Sequence, residues 1–205
     1  MKELFLNKSI NFITSQKPYK QEDIDKLRYG LEGIYLTFYK MIIILLVAFF
    51  LHTLKETIIF LILFNIIRYP AFGFHANTSF ECLIISLILM VLLPFLLLTF
   101  NIPIIIKIVI CFVCLVFFFI YAPMDTIKRP LPNKKKRRIR KFCSCLCCIL
   151  YTCLMIVFKN SFINNLFFCA IVVETILILP TTYMLFKQPY NNYLNYKWFK
   201  CIAFR

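Results

Sequence analysis

Six apolar runs alternate with short polar segments along the chain. The runs occupy residues 38–51, 57–67, 83–100, 104–121, 142–158 and 166–186. Apolar runs of this kind are typical of helices that cross a lipid bilayer. The second run is short: even when it is extended to Phe72, it spans about 24 Å as a helix, against a hydrocarbon core of about 30 Å. The pattern predicts an all-α polytopic membrane protein with six transmembrane helices.

The segment before the first run is amphipathic. Within residues 22–36, four apolar residues recur at helical spacing with charged residues between them, namely Ile24, Leu27, Leu31 and Ile34. A helix of this kind either lies on the membrane surface or leads directly into the first span. We favour the second arrangement.

The composition agrees with a membrane protein. Apolar residues make up 61% of the chain, and the mean hydropathy is +0.81. A chain of 205 residues cannot bury so much apolar surface in its own core, so its solvent must be lipid. We expect a single integral membrane domain over residues 1–205, with an amphipathic helical region at 1–37, the six-span bundle at 38–186 and a tail at 187–205.

The charges predict the orientation. The chain carries 24 Lys and Arg residues against nine Asp and Glu residues, a net charge of +15. The cations cluster between the apolar runs, which indicates membrane topology and contact with anionic lipid rather than nucleic acid. With the N-terminus inside, 21 of the 24 cations lie on the cytoplasmic side, and the other three are Lys55, Lys107 and Lys159. This bias predicts that both termini are cytoplasmic.

One polar stretch, residues 68–82, separates the second run from the third. It holds His75, one of only two histidines, and Cys82. A cysteine nucleophile reacts as the thiolate, and a neighbouring imidazole can accept its proton. In one continuous helix the two residues would lie about 10 Å apart along the axis, beyond the hydrogen-bond reach of about 3 Å. A His–Cys pair therefore requires a helix that begins between them.

The sequence supplies such a helix start. Thr78-Ser-Phe-Glu81 fits a capping box, which would place Cys82 at the end of the first helical turn. The positive end of the helix dipole favours a thiolate there. Gly73 permits backbone conformations closed to other residues, so that His75 can fold back toward the helix start. Pro70 is expected to end the preceding helix. Spacing alone leaves two interpretations open: a catalytic pair, or ordinary residues of an interfacial loop.

Two charged residues also have open interpretations. Arg68 could hold a substrate carboxylate or stabilise an oxyanion, and it could equally be a positive anchor at a helix end. Glu174 is the only acid within a late span, where a carboxylate is costly, and structural and functional roles are both open. The sequence contains no Gly-rich phosphate loop, no Ser-His-Asp pattern with a nucleophile elbow and no zinc-binding histidine pair. We expect no cofactor and no metal.

A second polar stretch, residues 122–141, is expected to form a long loop. Three prolines restrict the backbone around Asp125, the only acid in this stretch. Residues 134–141 form a polybasic run. Such a run suits topogenic charge and lipid contact, and the alternative is an electrostatic clamp for an acidic peptide.

Both polar stretches contain motifs with a fixed spacing. The first shows the pattern Arg…Gly-x-His-Ala…Cys, at Arg68, Gly73, His75, Ala76 and Cys82. The second reads Tyr121-Ala-Pro-Met-Asp125, followed by Arg129-Pro-Leu131. Together they resemble the accessory gene regulator B (AgrB) family, and the resemblance extends over most of the chain in length, span order and motif position. The family usually carries paired glycines before the histidine, and here Phe72 occupies the first of those positions.

The resemblance implies a cysteine endopeptidase in the cell membrane that matures a quorum-sensing propeptide. Cys82 would attack a backbone carbonyl near the C-terminal end of the propeptide, with His75 as general base and later general acid, and an acidic tail would leave. A cysteine or serine side chain of the substrate would then capture the acyl-enzyme thioester, giving a cyclic thiolactone or lactone. The family also suggests a homodimer.

Five residues besides the catalytic pair are predicted to bind substrate or to support the site, namely Arg68, Gly73, Asp125, Arg129 and Glu174. Two physical points agree with this chemistry. A loop recessed in lipid excludes water, so intramolecular capture can compete with hydrolysis of the thioester, and a strongly basic face suits an acidic tail. The alternative function is a non-proteolytic peptide transporter or exporter component, which six spans and one intramembrane acid would also suit.

Overall fold

The computed structural model describes residues 2–17, 19–74, 76, 78–100, 102–126, 131–158, 161–190 and 192. Their regular structure is helical, which confirms the all-α prediction. The helices are α1 (Lys2–Gln16), α2 (Gln21–Phe50), α3 (Leu54–Ala71), α4 (Ser79–Leu87), α5 (Leu93–Thr99), α6 (Ile104–Tyr121), α7 (Lys134–Val157), α8 (Ser161–Ile178) and α9 (Pro180–Leu185).

Five helical segments in the described part of the chain are long and apolar enough to cross a membrane, which supports a multi-pass membrane protein. They are Gln21–Phe50, Ser79–Leu96, Ile104–Tyr121, Lys134–Val157 and Ser161–Ile178. The remaining predicted span corresponds to α3, whose 18 residues include Lys55, Glu56 and Arg68. The count of six spans and the side of the termini stay predictions.

The chain packs as two compact units, residues 1–47 and 48–205. In the first unit, Arg28 Nη2 lies 2.6 Å from Glu3 Oε2, and Lys2 Nζ lies 2.7 Å from Glu32 Oε1. These ion pairs join α1 to α2. The helix α2 runs without interruption from the amphipathic segment into the first apolar run. This confirms that the amphipathic segment leads directly into that run.

The second unit is organised around α8. Most of α8 is buried, whereas the other long apolar helices of this unit expose much of their surface, as expected for helices that face lipid. Its neighbours are α3, α5, α6 and α7. The central position of α8 means that any polar side chain on it must find a partner inside the protein.

Pro70 and Pro94 lie in the helices on either side of the first polar stretch. Pro70 was expected to end its helix, but α3 continues through Pro70 to Ala71, so that expectation is wrong. The last turn is closed instead by Phe72 N, which donates to Arg68 O at 2.9 Å. Pro94 lies in the first turn of α5, directly after a π-helical segment, Ile88–Leu92, which joins α4 to α5.

The polybasic run is helical, which corrects the expectation of a loop over 122–141. The helix α7 begins at Lys134, and the side chain of Asn133 caps it by accepting from Lys136 N at 3.1 Å. Lysine and arginine are good helix formers, and their long side chains reach neighbouring helices. Arg140 Nη1 donates to Tyr69 O at 2.8 Å, and Lys141 Nζ donates to Ile120 O at 3.4 Å.

These two carbonyls belong to the last turns of α3 and α6, where the helix dipole is negative. The basic run therefore neutralises two helix ends. At another place in this unit, Lys107 is buried and its Nζ donates to Asn164 Oδ1 at 2.6 Å and to Asn165 Oδ1. Sequence analysis counted Lys107 as a topogenic cation and did not anticipate its burial.

Candidate active site

Cys82 lies at the start of a capped helix, as the sequence predicts. Thr78 Oγ1 accepts from Glu81 N at 3.2 Å, and Glu81 Oε2 accepts from Thr78 N at 3.4 Å, which completes the capping box. Cys82 is the fourth residue of α4, and its backbone N donates to Thr78 O at 3.1 Å. Its side chain is half-buried. The thiol therefore lies within the first turn, close to the positive end of the helix dipole.

The chain that leads to His75 is held by three different elements. Phe72 N bonds to Arg68 O of α3, Gly73 N donates to Met124 O at 3.0 Å, and Phe74 N donates to Leu177 O of α8 at 2.9 Å. Gly73 has φ of +122°, a conformation that favours glycine, as predicted. Three successive N–H groups with fixed partners leave this segment little freedom.

Phe72 has the backbone conformation of a glycine. Its φ is +64° and its ψ is −133°, which is rarely adopted by residues with a side chain. The paired glycines that the resemblance implies at this point would adopt it without strain. The Phe72 ring packs under the guanidinium of Arg140, 4.4 Å from Cζ to the ring centroid. This contact offsets part of the strain.

The half-buried Arg68 and the buried Glu174 form an ion pair behind the loop. Arg68 Nη1 lies 3.4 Å from Glu174 Oε2, and Arg68 Nη2 donates to Phe74 O at 2.8 Å. Glu174 is fully buried in α8, and its Oε1 has no hydrogen-bond partner among the described residues. A Cβ at Gly73 would lie 3.2 Å from Arg68 Nη1 and 3.3 Å from Glu174 Oε1. The absence of a side chain at Gly73 therefore allows the pair to pack against the loop.

The two polar stretches that carry the motifs meet in the structure. Phe72 and Met124 form an isolated parallel β-bridge, and Met124 N donates to Ala71 O at 3.0 Å. Met124 O accepts from Gly73 N and also from the Tyr183 hydroxyl at 3.3 Å. The second stretch thus forms the support on which the loop before His75 lies.

Asp125 fixes the turn of the second stretch. Its carboxylate is fully buried, accepts from Leu131 N at 3.1 Å and lies 3.6 Å from Arg137 Nη1. Its backbone O accepts from Asn192 Nδ2 at 3.3 Å. Arg137 Nη2 also donates to Pro123 O at 3.1 Å, so one guanidinium holds both sides of the turn.

Two residues predicted for the site from the sequence, His75 and Arg129, lie outside the described residues. The structure therefore brings together Arg68, Gly73 and Glu174, and it places Asp125 next to the Met124 support, while the His75–Cys82 pair stays a prediction. No group of three or more His, Cys, Asp or Glu side chains in the described ranges is suited to hold a metal ion.

Sequence reasoning missed several residues that support the site. Phe74 is buried with its ring centroid 4.6 Å from that of Phe186 and 5.8 Å from that of Tyr183. Arg137 was read only as one cation of a run, and nothing in the sequence marks Tyr183 or Asn192. A signal was present only for Arg137, because the single acid of its stretch requires a cationic partner once it is buried.

Comparison with known proteins identifies the family of the chain. The family model described as Accessory gene regulator B matches residues 6–178. A putative AgrB-like protein of Clostridium acetobutylicum is 33% identical over 186 residues, covering 88% of this chain and 88% of that protein. Accessory gene regulator protein B of Staphylococcus carnosus is 33% identical over 61% of this chain and 69% of its own length.

The protein of the same name from Staphylococcus aureus is 29% identical over 76% of this chain and 81% of its own length. No solved structure matches the chain. The family match extends over most of the chain, from α1 to the end of α8, and so includes Cys82 and both polar stretches. This chain belongs to the accessory gene regulator B family.

Proposed function

We propose that the chain is a membrane-embedded cysteine endopeptidase, with one peptidase domain over residues 1–205, that processes a quorum-sensing propeptide. The observation that carries the proposal is the position of Cys82 within the first turn of a helix capped by Thr78. A helix start of this kind fixes the position of the sulfur relative to the loop that precedes it. The helix follows directly on the loop that holds His75, so the base and the nucleophile come from adjacent segments.

The contacts of Arg68 support a positioning role. Its guanidinium is held by Glu174 on one side and holds the Phe74 carbonyl on the other. Phe74 directly precedes His75 in the chain. Fixing that carbonyl limits the backbone conformations from which His75 can approach Cys82, which is how a supporting shell improves a catalytic geometry. These contacts favour support of the loop over direct binding of a substrate carboxylate.

The proposed reaction proceeds in two steps. His75 accepts the proton of the Cys82 thiol, and the thiolate attacks the carbonyl carbon of the scissile peptide bond. The C–N bond breaks, the imidazolium gives its proton to the leaving amine, and the C-terminal segment departs. The thiol or hydroxyl of a substrate side chain then gives its proton to His75 and attacks the thioester carbonyl. The C–S bond to Cys82 breaks, a thiolactone or lactone ring closes, and the released thiolate takes the proton back from His75.

Exclusion of water decides whether the thioester is cyclised or hydrolysed. Phe74 is buried between aromatic rings next to the loop, and the surrounding helices face lipid. A dry site favours capture by a tethered side chain over capture by water. The excess of cations predicted for the cytoplasmic side suits a substrate with an acidic C-terminal tail. We expect the reaction at the cytoplasmic side of the cell membrane.

The test uses the purified full chain in lipid, incubated with a candidate propeptide as wild type, His75→Ala, Cys82→Ala and Cys82→Ser. We expect cleavage by the wild type alone, with an acyl-enzyme thioester detected by intact-mass spectrometry. Cys143→Ala is the matched control, because Cys143 is a half-buried cysteine at another position, on α7, and it should cleave at the wild-type rate. Full cleavage by either Cys82 variant would rule out the peptidase and favour a role in transport.

A further inference from the structure

A cavity of about 580 Å³ opens beside the second polar stretch, where α6 ends and α7 begins. Its lining includes four cations, Lys134, Arg137, Arg138 and Lys141. No carboxylate lines it among the described residues.

The charge of the cavity is only partly neutralised within the described structure, because Asp125 pairs with Arg137 alone among the four cations. The nearest carboxylate to these cations, that of Asp125, is buried and lies 3.6 Å from Arg137 Nη1. Lys134 and Arg138 are exposed, on the two sides of Arg137 along the first turns of α7. Like charges this close repel one another, so an anionic ligand in the cavity would be stabilised by several cations at once.

The position of the cavity connects it to the candidate active site. Ala122, Pro123 and Met124 form part of its lining. Met124 is also the residue whose backbone bonds to Ala71 and Gly73 in the loop before His75. One short backbone segment therefore contributes to the cavity and supports the loop.

The size and the walls of the cavity suit a peptide segment. A volume of about 580 Å³ lies within the range of roughly 300–1,000 Å³ that is typical of ligand pockets. Tyr121, Pro123, Pro180 and Tyr190 supply rigid apolar and aromatic surface next to the cations. A peptide whose backbone packs against this apolar surface would place its side-chain carboxylates next to the cations. It would then contact both the apolar and the basic parts of the lining.

We propose that this cavity binds the carboxylates of an acidic segment of the peptide substrate, so that charge selects the substrate and sets its register relative to Cys82. The inference rests on the proposed function for the identity of the peptide. The binding itself requires only an acidic peptide and the four cations.

The test measures binding without cleavage. The full chain with Cys82→Ala is placed in nanodiscs of phosphatidylcholine, and two short fluorescent peptides are titrated by anisotropy. One is rich in glutamate, and the other has glutamine at every glutamate position. We expect the glutamate peptide to bind at least about tenfold more tightly. Lys134→Glu with Arg138→Glu should weaken its binding by about tenfold and change the binding of the glutamine peptide by less than about twofold.

The matched control is Lys135→Glu with Lys136→Glu. It makes the same change in net charge on the same helix, at two exposed positions that do not line the cavity. It should leave binding of the glutamate peptide within about threefold of the parent. If the two double variants lost affinity for the glutamate peptide equally, or if neither lost affinity, the cavity would not be the binding site.

A charge exchange gives a second readout. A peptide with lysine at each glutamate position should bind the Lys134→Glu, Arg138→Glu variant more tightly than it binds the parent, because the sign of the cavity is reversed. Equal binding to both would count against the proposal. Native mass spectrometry with added phosphatidylglycerol tests the other anionic ligand: a bound lipid that this variant loses, with peptide binding unchanged, would show a lipid site instead.

Failure of this inference and failure of the proposed function give different results. If the chain with intact Cys82 cleaves its propeptide but the preference for glutamate does not depend on Lys134 and Arg138, the cavity proposal is wrong and the peptidase stands. If the intact chain cleaves nothing while the preference for glutamate depends on this pair, the cavity binds acidic peptides and the peptidase is wrong.

Discussion

Arg68 Nη1 lies 3.4 Å from Glu174 Oε2, and this contact joins two residues that are 106 positions apart. It links the last turn of α3 to the most buried helix of its unit. The same guanidinium donates to Phe74 O, one residue before His75. The conformation of the loop therefore depends on a carboxylate that lies in another helix.

We expect Glu174→Gln to reduce cleavage by roughly tenfold or more, because it leaves the Arg68 guanidinium without its buried counter-charge. The variant keeps the shape of the side chain, so the cost in stability should be about 1–3 kcal/mol. Initial cleavage rates and the thermal midpoint in detergent measure the two effects. Substrate KM should change less than kcat, since the pair positions the loop and does not touch the substrate.

Glu22→Gln serves as the control for that substitution, because Glu22 is exposed in the first turn of α2. It should leave both rate and midpoint unchanged. Arg68→Lys should also lose activity, since a single ammonium cannot bond to Glu174 and to the Phe74 carbonyl in the fork geometry of a guanidinium. Wild-type kcat in Glu174→Gln would show that the ion pair does not position the catalytic loop.

Gly73→Ala should reduce activity by tenfold or more and lower stability by about 1–3 kcal/mol. The added Cβ would lie 3.2 Å from Arg68 Nη1 and 3.3 Å from both Glu174 Oε1 and Leu177 O, at a φ of +122°. Gly33→Ala is the matched control, because nothing lies within 4 Å of its Cβ position within α2. That control should be neutral, or stabilising by up to about 1 kcal/mol. Equal effects of the two substitutions would contradict this account.

The parts of the fold that the sequence predicts correctly are those encoded locally. Each apolar run became helical, because a spanning segment must satisfy its own backbone hydrogen bonds. The third run is interrupted by the π-helical segment Ile88–Leu92, and the sixth is divided into α8 and α9, which the pattern did not predict. The cap at Thr78 was also predictable, since the capping box is complete within four consecutive residues. The prediction of a loop over the basic run is wrong, because lysine and arginine favour helix and Asn133 caps α7 directly before the run.

The parts that were not predictable depend on how the helices rotate against each other. The contact between Arg68 and Glu174 requires α8 to present one particular face to α3, and no spacing in the sequence encodes that rotation. The bridge between Phe72 and Met124 likewise joins two loops that are distant in sequence. The positive φ at Phe72 was detectable only indirectly, from the glycine that the resemblance implies there.

Replacing Phe72 by glycine and replacing it by alanine should have different effects on the stability of the protein. Phe72→Ala removes the ring from Arg140 but retains a Cβ at φ of +64°. Phe72→Gly removes the ring and the strain together. Glycine should therefore be more stable than alanine by about 1 kcal/mol at this position, the reverse of the order expected in a helix. The thermal midpoints of the two variants in the same detergent measure the difference.

The control for that comparison is the same pair of substitutions at Phe142, an exposed residue inside α7. There the order should be the usual one, with alanine more stable than glycine by up to about 1 kcal/mol. If alanine were also the more stable residue at position 72, the strain at Phe72 would be absent in the protein.

Thr78→Ala should slow the alkylation of Cys82, because the cap fixes the helix start that holds the thiol in place. Loss of an N-cap of this type costs about 1 kcal/mol, and fraying of the first turn would remove the thiol from the positive end of the dipole. Thr78→Asn and Thr78→Ser retain a capping side chain and should restore most of the rate. Iodoacetamide labelling near neutral pH, followed by mass spectrometry of the peptide that contains Cys82, measures this rate separately from the other cysteines.

Two comparisons isolate the effect of the cap. Thr37→Ala removes an exposed threonine whose hydroxyl donates to Gly33 O inside α2, and it should leave the alkylation of Cys82 unchanged. Labelling of the exposed Cys153 should be the same in all variants, since it lies on α7, far from the Thr78 cap in sequence. If Cys82 in Thr78→Ala reacted at the wild-type rate while cleavage fell, the cap would serve to place the sulfur rather than to activate it, because reactivity of the thiol would then be independent of the helix start.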